Sequence, residues 1–192
     1  MQLLKDRILK DGKALNKEVL KVDMFLNQQV DTELTWEIGR EFARLFADAG
    51  ITRVVTIEAS GIAPAYAAAL QMKLPLVILK KAVSIAMDDS LIQTEVFSFT
   101  KQKSYQLTLQ KEYIRPDDKV LIIDDFLAMG EAAFGAISLV EKWCGATVGG
   151  IGAVICKSHQ PGLKKLKEAG YKVHALAKIA EMDKGYIRFE ED

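Results

Sequence analysis

The order of apolar and polar positions changes character about a quarter of the way along the chain. Over the first 20 residues, Leu3, Leu4, Ile8 and Leu15 recur among charged residues at helical spacing, with Gly12 interrupting them. The stretch VLKVDMFLN, 19–27, reads as extended. Residues 35–49 predict a clearer amphipathic helix, with Trp36, Ile38, Phe42, Leu45 and Phe46 on one face and Gly50 as its stop. Beyond Gly50 strands and helices alternate. ITRVVTIEA is a strand, and the turn Ser60-Gly61 leads into the helix IAPAYAAALQM. LPLVILKK is a second strand and KVLIIDD a third. Four consecutive apolar residues without polar alternation mark that third strand as buried on both faces. The helix EAAFGAISLVEKW, the strand GATVGGIGAVICK, the helix LKKLKEAG and the strand YKVHALAKI complete the series. This pattern predicts an α/β fold: a central, mostly parallel sheet flanked by helical crossovers, in a single domain spanning 1–192.

Residues 82–116 break the alternation. They carry β-branched and aromatic residues without a helical period, which predicts a flexible hairpin loop projecting from the sheet. Long excursions of this kind in compact α/β domains are often lids. Phe97, Phe99 and Tyr105 belong either to such a hood or to the core.

Composition narrows the function classes. Lys plus Arg and Asp plus Glu number 26 each, so the net charge is zero and no basic stripe is visible, which speaks against a nucleic-acid partner. The two cysteines, Cys144 and Cys156, form no paired spacing, and His159 and His174 are the only histidines, so a zinc site is not expected. The first residues lack the apolar core of a signal peptide, and no run of 18 apolar residues occurs. The expectation is a cytoplasmic protein with reduced thiols and no membrane partner.

The segment KVLIIDDFLAMGEAAFGAI concentrates the chemistry. An apolar strand runs into Asp124 and Asp125, then a short loop, then a helix beginning near Gly130. Ligands of open α/β sheets bind beyond the carboxyl ends of the strands. A helix start offers unpaired N–H groups and a positive dipole end, so Ala128, Met129, Gly130, Glu131 and Ala132 form a candidate phosphate cradle. The two carboxylates are candidate acceptors for sugar hydroxyls. The same residues also read as a plain strand end and helix cap.

The whole segment is more specific than the acid pair. Four apolar residues, two acids, two apolar residues and then small-x-Gly-x-small resembles the signature with which type I phosphoribosyltransferases bind PRPP (5-phosphoribosyl 1-pyrophosphate). The resemblance implies that Asp124 and Asp125 are the catalytic acids holding the ribose hydroxyls, and that 128–132 holds the 5-phosphate. Met129 and Ala132 stand where hydroxyl residues are common. Ala128 stands where hypoxanthine-guanine enzymes carry an aspartate. Glu58-Ala59-Ser60-Gly61 resembles the pyrophosphate turn of adenine-type enzymes, and Lys80-Lys81 resembles a basic pair that meets PRPP.

Across nearly the whole chain the resemblance is nearest to the bacterial xanthine phosphoribosyltransferases, through VLKVDMFLNQQVD, RVVTIEASGIAPA, SFTKQ, VLIIDDFLA and GIGAVICKSHQPG. It implies base contacts at Leu20, Asn27 and Lys157 and a small hood formed by the N-terminal segment and the C-terminal part. It also implies PRPP and xanthine as substrates, Mg2+ carried by PRPP with no metal ligands from the protein, and a homodimer. The loop reads AMGEA where the family more often has ANGQA, so Glu131 adds a negative charge. Two other readings follow from the same residues: transfer to guanine, hypoxanthine or adenine, and a PRPP-sensing purine regulator without turnover.

Overall fold

A computed structural model describes residues 1–81, 90–98 and 103–191. Helix α1 (Gln2–Asp11) ends at Gly12, and two short strands, β1 (Lys13–Ala14) and β2 (Leu20–Lys21), pair antiparallel behind it. Leu15 therefore lies outside the helix and is exposed. The stretch read as extended is so only at Leu20–Lys21. Asp23–Asn27 closes into a helical turn that buries Phe25 and Leu26. Helix α2 (Thr32–Leu45) starts three residues earlier than its apolar stripe suggests, because the Asp31 carboxylate accepts the Leu34 amide at 3.0 Å and caps it.

Strand β3 (Arg53–Ile57), helix α3 (Ile62–Met72) and strand β4 (Leu76–Leu79) form the first crossover unit. Strands β5 (Leu91–Ser98) and β6 (Lys103–Gln110) pair antiparallel as the expected hairpin. Strand β7 (Lys119–Leu127) is followed by α4 (Glu131–Ile137), which continues through a wider-turned segment, Ser138–Trp143. Strand β8 (Thr147–Lys157), helix α5 (Gly162–Glu168), strand β9 (Val173–Asp183) and strand β10 (Tyr186–Phe189) complete the chain.

The main sheet has the order β10-β9-β8-β7-β3-β4. Its first pairing is antiparallel and the rest are parallel. The edge strand β10 has no counterpart in the sequence reading. It turns back at Gly185 (φ +73°) and is too short to show a period.

Strand β7 lies inside the sheet, as its unbroken apolar run predicts, and its side chains feed two cores. Leu121 and Ile123 join Ile38 and Phe42 of α2 and Ala65 and Ala68 of α3 on one face. Val120 and Ile122 join Ala136 of α4, Leu166 of α5 and the hairpin residues Val96, Leu107 and Leu109 on the other.

The hairpin arms thus belong to the packed body rather than projecting from it. Val96 and Leu107 lie against the backbone of Gly135 in α4. Lys80 and Thr108 exchange backbone hydrogen bonds of 3.0 and 2.8 Å, tying β6 to the end of β4. The lid expectation concerns residues 82–89 and 99–102, which lie outside the described residues, as does Phe99. Among the described residues no helix is long and apolar enough to cross a membrane.

Candidate active site at the carboxyl edge of the sheet

Four predicted segments meet at the carboxyl ends of β3, β4, β7 and β8. Strand β7 continues two residues past the acid pair to Leu127, so Asp124 and Asp125 are strand residues and the loop shrinks to 128–130. Neighbouring strand residues ordinarily point to opposite faces, yet the two carboxylates stay within hydrogen-bonding reach of each other. Asp124 lies in a cleft of about 140 Å3 lined by Tyr105, Met129, Gly130 and Glu131, among others. Asp125 lies close enough to Lys157 for its charge to act on that ammonium. Asp124 Oδ1 accepts the Asp125 amide at 3.0 Å. Burial, and then the neighbouring charge of Asp125, push the Asp124 carboxyl well above the usual range. Burial also raises Asp125. A pair held in this way favours incoming hydrogen-bond donors or a cation.

The turn 58–61 closes on the same carboxylate. A Cβ at Gly61 would lie 2.9 Å from Asp124 Oδ1 and would also meet the hydroxyl of Thr56, so only glycine lets this turn approach the acid pair. The peptide between Glu58 and Ala59 is cis. Glu58 is already engaged. Its carboxylate accepts the Lys81 amide at 2.5 Å and pairs with Lys80 at 3.4 Å. Lys81 reaches back over the Tyr105 ring, 5.3 Å from its centroid, and its charge acts on both aspartates. Tyr105 is itself raised by burial and by Asp124.

Past Leu127 the chain turns through Gly130, at φ +90°, into α4. Phe134 N donates to Gly130 O at 3.0 Å as the first α-helical bond. The amides of Glu131, Ala132 and Ala133 therefore start the helix without intrahelical acceptors. The loop is braced from behind by α5. Gly162 N donates to Ala128 O at 3.0 Å, and a Cβ at Gly162 would lie 2.7 Å from Gly130 N and 2.8 Å from the Met129 carbonyl carbon. The extra charge of Glu131 is met by Lys165 of α5, 3.5 Å away. Met129 and Ala132 line the cleft without offering a side-chain donor.

On the other face, Lys157 ends β8. Its ammonium donates to the Glu18 carbonyl and lies 5.2 Å from the centroid of the Phe126 ring. Burial lowers its pKa, against the opposing charges of Glu18 and Asp125. Leu20, two residues from Glu18, is buried and packs in the core of that face. Asn27 ends the helical turn 23–27 and is exposed. A larger cleft, about 650 Å3, lies elsewhere, between α1 and the start of α2. Its charged residues are partly spent on one another, as in the 2.8 Å pair of Arg7 and Asp31.

No family model matches the chain. Curated proteins match it end to end. "Xanthine phosphoribosyltransferase" of Clostridium botulinum (strain Eklund 17B) is 55% identical over 191 residues, all of both chains. The protein of that name from Agathobacter rectalis is 55% identical over 192 residues, again all of both. That from an Exiguobacterium species is 50% identical over 191 residues, covering 100% of this chain and 98% of the relative. The chain belongs to the xanthine phosphoribosyltransferase family. Solved structures agree on the fold. The adenine phosphoribosyltransferase of Giardia lamblia in complex with 9-deazaadenine superimposes with a TM-score of 0.77 at 21% identity, over 91% of this chain and 97% of that one. The enzyme from Rhodothermus marinus gives 0.73 at 21% identity, over 93% and 100%. The fold is therefore the type I phosphoribosyltransferase fold, and the chain is a transferase.

With the family in place, the residues that the sequence reading missed can be named. Gly162 and Lys165 brace the 128–132 loop from a helix some 30 residues downstream. Tyr105, which the sequence left open between hood and core, lies under Lys81, a residue already expected to meet PRPP. Phe126 underlies Lys157. Each acts through a contact distant in sequence. The one available signal was the glycine of SHQPG, which looks like an ordinary turn residue.

Proposed function

We propose that the chain transfers the 5-phosphoribosyl group of PRPP to xanthine, giving xanthosine 5'-monophosphate and pyrophosphate, a purine-salvage reaction. One observation carries the reading. The acid pair, the 58–61 turn, Lys80-Lys81 and the 128–132 loop converge on the carboxyl edge of one parallel sheet, with Asp124 Oδ1 in the space that a Gly61 side chain would fill. In this reading Asp124 and Asp125 accept hydrogen bonds from the ribose diol, and the first-turn amides of α4 hold the 5-phosphate. Gly61 lets main-chain amides approach the pyrophosphate, with Lys80 and Lys81 as its counter-charges. The bond from C1 of the ribose to pyrophosphate breaks as a purine ring nitrogen bonds to C1. Positioning and charge stabilisation supply the catalysis.

Mg2+ fits as a companion of PRPP. The ion prefers phosphate and water oxygens and needs few protein ligands. The donor set here is two carboxylates, with no cluster of three or more acidic, histidine or cysteine side chains among the described residues. Asp124 and Asp125 would be the residues beside it, and the ion would screen the charge of the departing pyrophosphate.

Lys157 is the proposed base-selecting residue, with Leu20 and Asn27 bordering the base. It offers donors and no acceptor, so it suits the 2-oxo group or the anion of xanthine and opposes the amino group of guanine. An acidic base also needs little help in losing its proton. Homodimeric assembly and a cytoplasmic setting are part of the proposal on the family resemblance.

The test is to supply PRPP, Mg2+ and each purine base to wild type and Lys157→Ala. Xanthine is expected to be used well, guanine and hypoxanthine less and adenine scarcely. The variant is expected to lose about tenfold or more in the xanthine-to-guanine ratio of kcat/KM, as for a mismatch of about 1–3 kcal/mol. An unchanged ratio would remove Lys157 from base choice.

A further inference from the structure

Glu58 lies in the turn proposed to meet pyrophosphate, yet it is an anion whose two carboxylate oxygens are both engaged. Oε1 accepts the Lys81 amide at 2.5 Å and Oε2 lies 3.4 Å from Lys80 Nζ. Its own amide donates to Leu79 O at 3.1 Å. We propose that Glu58 is a positioning residue: a clip that fixes the Lys80-Lys81 turn to the 58–61 turn, without touching PRPP itself.

The stretch being fixed is short. Strand β4 ends at Leu79. The Lys80 backbone is held by its two hydrogen bonds to Thr108, and the Lys81 amide by Glu58. Held there, the Lys81 side chain lies over Tyr105, and its charge acts on both aspartates. The hydrogen bond to the amide outweighs the ion pair in this role. The Glu58–Lys80 pair is exposed, at 25% and 47%, and such pairs contribute little. A carboxylate accepting from a main-chain amide is charge-assisted and immobilises the backbone it holds.

The consequence for catalysis rests on the PRPP reading; the clip rests on the geometry alone. The experiment separates the two. Exchange of the Lys81 amide is measured in the free protein for wild type, Glu58→Ala, Glu58→Gln and Glu58→Asp, with KM for PRPP and for the base measured in parallel. The Ala variant is expected to speed Lys81 exchange at least about tenfold, the loss expected for one charge-assisted hydrogen bond, and to raise KM for PRPP comparably while KM for the base moves little. Gln retains a neutral acceptor of the same reach and is expected to recover part of both effects. Asp keeps the charge but shortens the reach, and is expected to resemble Ala. Equal exchange in Ala and wild type would overturn the clip, as would a wild-type-like Asp variant. A Gln variant with wild-type exchange of the Lys81 amide but a KM for PRPP as high as that of Ala would overturn the positioning role. Altered exchange with unaltered KM for PRPP would leave the clip standing and count against the PRPP reading.

Discussion

Aspartates flank both ends of β7 and experience opposite surroundings. Where the strand enters the sheet, Asp118 is buried and fully met: Oδ1 accepts the Thr52 hydroxyl at 2.8 Å, and Oδ2 accepts Arg53 Nε and the Arg115 amide, both at 2.8 Å. Burial works against its charge, but these donors outweigh it and hold the carboxyl below the usual range. Where the strand leaves the sheet, Asp124 and Asp125 stand side by side, raised by burial and, for Asp124, by its neighbour's charge. One end spends its acid on the fold. The other keeps two acids in a costly arrangement that a ligand with hydroxyl donors, or a cation, would relieve. This division matches the rule that open α/β sheets bind ligands at their carboxyl edge.

Substitutions at the two ends should separate stability from function, and the largest effect is expected at Asp118. Its removal leaves Arg53, only 17% exposed, without its partner. Asp118→Ala should cost about 3 kcal/mol in denaturant unfolding while the folded protein keeps its KM for PRPP. A loss below about 1 kcal/mol would make the entry end no better satisfied than a surface pair.

Gly162→Ala comes next. The added methyl would press on the backbone of 128–130 from behind, where no flexible side chain can yield. Overpacking of this kind costs about 1–3 kcal/mol. Here it should appear chiefly as a rise in KM for PRPP with a smaller loss of thermal stability. An unaltered KM would mean that α5 does not support the loop.

A smaller effect distinguishes the ends by pH. The Asp118 carboxyl is lowered in the folded state, so its stabilisation is present above the unfolded aspartate value, about 3.9, and disappears as pH falls through the lowered folded value. The Asp124 carboxyl is raised, so its contribution is present below the unfolded value and disappears as pH rises through the raised one. The unfolding free energy lost in Asp118→Ala should therefore shrink in acid. Asp124→Asn should gain on wild type as pH rises, and a gain of about 1 kcal/mol raises Tm by roughly 2–4 °C. Parallel pH profiles for the two variants would erase the contrast.

Much of this contrast was legible in the sequence. The apolar run before Asp124-Asp125 marks a central strand, and the small residues around Gly130 mark the turn into a helix, because both signals are local. The alternation of strands and helices after residue 50 gave the parallel sheet for the same reason. What was hidden depends on contacts distant along the chain. The hairpin read as a projecting arm because its buried residues among those described, Val96, Leu107, Thr108 and Leu109, form no regular apolar period. The engagement of the Glu58 carboxylate was hidden because its partners at 80 and 81 belong to another strand end. The charge of Glu131 looked uncompensated until Lys165 appeared beside it. Asp118 attracted no notice, since nothing in DDKV tells a buried acid from a turn acid.

The central claim is that the exit end of β7 gives up stability to hold the ribose of PRPP. Its most direct test is to titrate PRPP with Mg2+ into wild type, Asp124→Asn and Asp125→Asn by calorimetry, and to measure the unfolding free energy of each free protein. The account predicts that PRPP affinity falls at least about tenfold in each variant, as for the loss of a charge-assisted hydrogen bond of about 1.5–3 kcal/mol, while stability is unchanged or higher. Wild-type PRPP affinity in both variants, or a loss of affinity that merely follows a loss of folding, would contradict it.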